Sequence, residues 1–136
     1  MACESACCGN APRRVVSDLF DRGYRRNRLA PFAVQGATLR DANDLTASFS
    51  LDIADDTVRD IRFQVSTCIT LIAYSELIVE LAAAKGARAA AVLSESDLVS
   101  ALPDVPLLKR DRAVLAINAF RAALKAAFIS QTGEAA

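Results

Sequence analysis

Between Ser66 and Gly86 the chain carries a segment that is apolar on nearly every side of a helix, and this segment restricts the fold more than any other. Ser66 and Thr67 are good N-cap residues and Gly86 suits a C′ position, so the pattern predicts a helix running to Lys85. Cys68, Leu71, Ile72, Ser75, Ile78, Val79 and Ala82 cover one side, while Ile69, Tyr74, Leu77 and Leu81 make much of the remainder apolar. Only Glu76 and Glu80 mark a polar strip. Such a helix has to be sandwiched inside a core. A bilayer is no alternative, because the uncharged run from Gln64 to Ser75 is far shorter than the ~20 residues a spanning helix needs.

The residues just upstream supply the surface for that helix to lie across. Ala47, Phe49, Leu51 and Ile53 alternate with Ser48, Ser50 and Asp52, and Ile61, Phe63 and Val65 alternate with Asp60, Arg62 and Gln64. A period of two is that of a strand with one buried face. Asp55 and Asp56 between the runs predict a hairpin turn. Phe32 to Leu39 suits a further strand, with Asp41 to Asp44 as a polar turn. Before it, Val15, Val16, Leu19 and Phe20 recur at helical spacing between Pro12 and Gly23.

After the central helix, Arg88 to Leu93 and Asp97 to Leu102 suit shorter helices, and Pro103 and Pro106 enforce an extended connector. A last helix from about Lys109 to Phe128 places Val114, Ile117, Phe120, Leu124 and Phe128 on one stripe. The expected class is α+β: a three-stranded antiparallel sheet with helices packed on one face. The 136 residues, 53% of them apolar, suit one such domain over 12–130, with a mobile tail at 1–11 and a frayed one at 131–136.

Sixteen basic and sixteen acidic residues cancel, so no global charge attracts nucleic acid or an anionic membrane. Charge is segregated all the same. Arg13, Arg14, Arg22, Arg25, Arg26 and Arg28 crowd one stretch, and Asp41, Asp44, Asp52, Asp55, Asp56 and Asp60 the next. These are either two solvated faces that attract each other or a docking surface for an acidic protein. The complete lack of histidine closes Ser-His and Cys-His catalysis and imidazole ligation of zinc, and the five glycines form no phosphate-binding loop. The expectation is a non-enzymatic protein.

Met1 to Asn10 has neither the basic nor the apolar region of a secretory signal, so the protein is expected in the cytosol, where Cys3, Cys7, Cys8 and Cys68 stay thiols or metal ligands. Cys68 falls between a strand and the first turn of the central helix, where free N–H groups and the helix dipole favour a thiolate that can bind metal or accept sulfur. A small apolar residue filling a gap is the competing reading. Cys3, Cys7 and Cys8 fit no zinc motif and are either incidental thiols or an arm that folds back towards Cys68.

Around Cys68 the chain resembles the iron–sulfur scaffold family of the NifU N-terminal and IscU type. Phe63, Cys68, Ala73, Leu77, Ile78, Glu80 and an inverted Lys85-Gly86 match its strand, cysteine and helix, whereas Val65 and Thr67 stand where that family has glycines. Tyr74 and Glu76 replace two of its serines. Val105, Pro106, Leu107, Leu108 and Lys109 resemble the segment that engages an Hsp70-type chaperone, and Leu115, Ala116 and Ala119 fit the helix after it. Tyr24 and Asn27 suit the end of the first helix.

The resemblance implies a site for an iron–sulfur cluster, iron or zinc, but the ligand set is depleted. By register, Leu45-Thr46-Ala47 replaces the family's Cys-Gly-Asp, and Arg112 replaces its third cysteine, with Asp111 beside it. A [2Fe–2S] cluster normally takes four ligands. Cys68, with Asp111 as a weaker candidate and Cys7 and Cys8 as borrowed ones, therefore implies weak binding. The leading expectation is a scaffold-like protein in cluster assembly holding its cargo through Cys68 and borrowed ligands. The alternatives are an adaptor without cofactor that docks a cysteine desulfurase or chaperone, and a persulfide acceptor acting through Cys68.

Overall fold

The computed structural model describes residues 14–83 and 86–133, with side chains as far as 129. The readings placed on Cys3, Cys7, Cys8 and Lys85 lie outside them. Helix α1 (Val16–Arg26) leads into short strands β1 (Val34–Gln35) and β2 (Leu39–Arg40), then into the long strands β3 (Thr46–Ala54) and β4 (Thr57–Val65). Helices α2 (Ile69–Ala82), α3 (Ala87–Ala91) and α4 (Glu95–Ala101) follow, then a 3₁₀ turn at Leu107–Lys109 and the long helix α5 (Arg112–Gly133). The predicted α+β class is observed, with an antiparallel sheet covered by helices.

The hairpin forms where the alternation placed it. β3 pairs antiparallel with β4 from Ala47↔Val65 to Ala54↔Thr57, with an irregularity between Asp52 and Ile53. Asp55 and Asp56 have φ of 52° and 63°, the left-handed pair that a two-residue turn of matching twist requires. The other edge of β3 takes both short strands, β1 at Val34↔Leu51 and β2 at Leu39↔Ala47. The strand expected at Phe32 to Leu39 is thus two pieces with a break at Gly36, so the sheet counts four strands.

Gly36 explains the break. A Cβ there would stand 2.5 Å from the Ala123 nitrogen and 2.7 Å from Ala122 C and Ala123 Cα, all main-chain atoms of α5. Only a glycine lets the sheet edge meet that helix directly. Gly36→Ala is expected to cost about 1–3 kcal/mol, because helix or strand has to give way; chemical denaturation measures it, and an unchanged midpoint would mean that the contact relaxes freely.

Ala47, Phe49, Leu51, Ile61 and Phe63 form the inner face of the sheet, all of them buried. The central helix is buried almost all round, as its composition required. Its limits differ from expectation. It starts at Ile69, with Cys68 as the extended N-cap residue, and ends at Ala82. Gly86, with φ of −64°, is not a left-handed C′ residue; it opens α3 and bridges to Thr57.

Two further expectations are corrected. Gly23 does not end the first helix, which continues to Arg26. A Cβ on Gly23 would meet Ile72 Cγ2 at 2.7 Å, so this glycine allows α1 to press against α2. The polar strip splits: Glu76 is buried against α1, where Arg26 Nε donates to its Oε1 at 2.8 Å, while exposed Glu80 accepts from Arg14 Nε at 2.7 Å through Oε1 and from Arg22 through Oε2. The arginine stretch therefore pairs with the central helix. Of the aspartates expected to attract it, Asp60 joins in, 3.6 Å from Arg26.

Side chains from the α1–β1 connection close the outer edge of β4. Asn27 donates to the Val65 carbonyl at 3.0 Å and accepts from the Val65 N–H at 2.7 Å, behaving as one residue of a neighbouring strand. Arg62 and Gln64 donate to the carbonyls of Ala30 and Leu29. Asn27 thus satisfies the Val65 edge groups that another chain could otherwise pair with. The cover extends to the supposedly wet face, where Ser50 is fully buried and its hydroxyl accepts from the Phe32 N–H at 2.9 Å.

Candidate functional site

Three segments far apart in sequence converge at one end of the sheet. The first is the junction of β4 and α2. Ser66 locks it to the start of β3: its hydroxyl accepts from the Thr46 N–H at 2.8 Å, and its N–H donates to the Thr46 carbonyl at 2.9 Å. Cys68 follows, half-buried, with its carbonyl accepting the first helical hydrogen bond from the Ile72 N–H at 2.9 Å. Its thiol makes no capping bond. Ile69, beside it, is exposed.

The second segment is the β2–β3 turn. Asp41 Oδ1 accepts from the N–H groups of Asn43 and Leu45 at 2.9 and 3.0 Å, and Asp44 takes a φ of 68°. This presents the Asn43 amide outward. The third is the start of α5, where Asp111 and Arg112 follow the 3₁₀ turn.

The segments meet on Asp111 and Arg112. Asp111 Oδ1 accepts from Arg112 Nη1 at 2.7 Å, and Oδ2 accepts from Asn43 Nδ2 at 3.1 Å. The Arg112 hydrogen bond, aided by its charge and by Asn43, holds the Asp111 carboxyl below the ordinary carboxylate range despite some desolvation. The Arg112 guanidinium is held above its ordinary value, first by its hydrogen bond to Asp111 and, against burial, also by the nearby Cys68. The Arg112 side chain is 17% exposed, and its Nε is buried without a hydrogen-bond partner among the described residues.

Cys68 and Asp111, both singled out from the sequence, are therefore brought to one guanidinium. Leu45-Thr46-Ala47 leads into β3 beside it, with Thr46 hydrogen-bonded to Ser66 and Ala47 fully buried. Asn43, from the turn before them, reaches Asp111 instead. Sequence reasoning passed over Asn43 as a turn residue and took Arg112 as a lost ligand rather than a participant; a charged residue aligned with a ligand position was the available signal.

The remaining candidates form a separate surface beside the site. Val105 is buried, while Pro106 to Lys109 are exposed, with Leu107 at 74% and Leu108 at 88%. Arg110 staples this connector, its Nε donating to the Val105 carbonyl at 3.1 Å and its Nη2 to that of Pro103 at 3.4 Å. Buried Tyr74 lies within the influence of the same connector. Burial pushes its hydroxyl pKa up, nearby Arg110 pulls it down, and Asp104 raises it.

A family model for the NifU-like N terminal domain matches residues 31–133. The chain belongs to that family. Among solved structures it is similar to a nitrogen-fixing NifU-like protein (N-terminal) from Brucella abortus, at 18% identity and a TM-score of 0.52, covering 72% of this chain and 80% of that one. A second, described only as a hypothetical protein, gives 16% identity and a TM-score of 0.50 over 80% of this chain and 98% of that one. At such identities the likeness speaks for the fold. No curated protein matches the chain.

A cluster or metal ion does not fit the residues at this site. No three histidine, cysteine, aspartate or glutamate side chains are grouped to hold an ion among the described residues. Of the donors present, the Asp111 carboxylate and the Cys68 thiol already face a fixed cation. A cluster needs about four such ligands.

Proposed function

We propose that the protein serves iron–sulfur cluster assembly as a scaffold-like adaptor: it presents the docking surface of its family without holding a cluster in its own ligand shell. What supports this reading is the Arg112 guanidinium, hydrogen-bonded to Asp111 and near Cys68, the two residues that the family resemblance offers as ligands. The docking surface is the clamped connector. Buried Val105 and the Arg110 staple fix its backbone, so the exposed pair Leu107 and Leu108 is offered at little ordering cost. An Hsp70-type chaperone, which takes short apolar segments, is the proposed partner, and a cysteine desulfurase is the other.

Replacing both leucines tests the docking. Leu107→Asp with Leu108→Asp changes exposed residues and leaves the core alone, so the domain should keep its melting temperature. Affinity for the chaperone, read by anisotropy of the labelled full chain, should fall by about tenfold or more, the equivalent of one lost apolar anchor. Equal binding by both proteins would remove the connector from the account.

Half-exposed Cys68 beside exposed Ile69 supports a second reading, in which the thiol completes a shell supplied by another chain or by Cys7 and Cys8, or accepts sulfur as a persulfide. Under that reading the cluster or sulfur is shared cargo, and Cys68→Ala abolishes its transfer.

A further inference from the structure

We infer that Arg112 is the specificity-determining residue of this site: a built-in cation that takes up the Asp111 carboxylate beside Cys68 and thereby excludes metal ions. The inference rests on the reading of a site without its own cluster and says what enforces it. Loss of ligands alone would leave Cys68 and Asp111 free to bind a metal loosely. The geometry differs from that. Arg112 Nη1 holds one oxygen of Asp111 at 2.7 Å and Asn43 holds the other at 3.1 Å, with Cys68 near the same guanidinium. Both carboxylate oxygens are therefore engaged, and the sulfur has a fixed positive charge for a neighbour.

Three properties of the group make it an effective barrier. A divalent ion seated on Cys68 and Asp111 would lie at contact distance from a fixed positive charge, where repulsion in a partly buried site is strong. Charge-assisted hydrogen bonds between guanidinium and carboxylate are stronger than neutral ones and would have to be broken first. The guanidinium cannot lose its proton to make way, as a lysine could. It is also held in place, with 17% of its side chain exposed and its partner Asp111 braced from the β2–β3 turn.

The test uses zinc as probe on the full chain carrying Cys3→Ser, Cys7→Ser and Cys8→Ser, so that Cys68 is the sole thiol. In this parent protein, zinc should leave the alkylation of Cys68 by iodoacetamide unchanged. Arg112→Cys removes the barrier and adds a thiolate, so zinc affinity, measured by competition with a chromogenic chelator, should rise about 100-fold. Zinc should then protect Cys68 and raise the melting temperature. Arg112→Gln removes the charge alone and should give a rise of about tenfold, which keeps the test decisive if the cysteine variant does not fold.

Protection of Cys68 by zinc in the parent overturns the inference, whatever the variants do. A folded Arg112→Cys protein that binds zinc no better than the parent overturns it as well. Neither result touches the docking role, which the Leu107 and Leu108 variants decide separately.

Discussion

Glu76→Ala should destabilise the domain by about 3–5 kcal/mol, the penalty for removing one partner of a buried ion pair and leaving the other behind. Glu76 sits in the middle of α2 with its side chain 3% exposed, where an unpaired charge could not stay. It is tolerated because Arg26 meets it through Nε at 2.8 Å and Nη2 at 3.4 Å, and Arg22 Nε lies 3.8 Å away. Arg26 also donates to the Ile61 carbonyl at 2.9 Å, so one guanidinium joins α1, α2 and β4. Truncating Glu76 leaves that guanidinium only the Ile61 carbonyl and the more distant Asp60, and opens a gap next to Gly23, where the two helices touch. The measurement is urea denaturation with the slope held in common. Loss of less than about 1 kcal/mol would place the pair in the class of solvated surface bridges.

Phe49→Ala is expected to cost a similar amount, about 3–5 kcal/mol, for a different reason. Phe49 is fully buried at the centre of β3 and contacts two other rings: Phe63 on β4 at 5.5 Å between centroids and, edge-on, Phe120 on α5 at 5.7 Å. Its removal leaves a cavity between sheet and helix that neither can fill, since Gly36 already holds the neighbouring strand edge against the α5 backbone. Both aromatic pairs are lost with it. As small domains have only about 5–15 kcal/mol in all, the loss takes a large share of the stability and should lower the melting temperature by roughly 10–20 °C. Calorimetry reads this directly, and a melting temperature near that of the parent would show that the three rings are not the centre of the core.

The parts of this fold that were legible in the sequence are those set by local periodicity. Alternation at Ala47 to Ile53 and Ile61 to Val65 repeats every second residue, so it reports a buried face without knowledge of the partner. The central helix was equally plain, because no exposed helix tolerates Leu71, Ile72, Leu77, Ile78 and Leu81 together. What stayed hidden depends on contacts between distant residues. Gly23 and Gly36 read as a helix stop and as a strand residue because nothing local announces a helix pressing on them. Glu76 and Glu80 read only as a polar strip because the arginines that pair with them lie 50 to 66 positions earlier.

The candidate site divides in the same way. Cys68 was legible from its place between strand and helix and Asp111 through the family resemblance, and the structure brings both near Arg112. Asn43 was missed because a register counted along β3 pointed to Leu45-Thr46-Ala47, whereas the turn preceding the strand is what reaches Asp111. Ligand positions can be counted in a sequence. Whether the residue now standing there is silent or takes over the remaining donors depends on where its side chain goes.

The most direct test of the whole account is the iron and acid-labile sulfide bound by the full chain after anaerobic reconstitution alone, with Cys68→Ala alongside. An adaptor whose Asp111 is held by Arg112 beside Cys68 should retain far less than a full cluster per chain, and Cys68→Ala should not change the amount. A stoichiometric cluster in the unmodified chain, lost in Cys68→Ala, would contradict it.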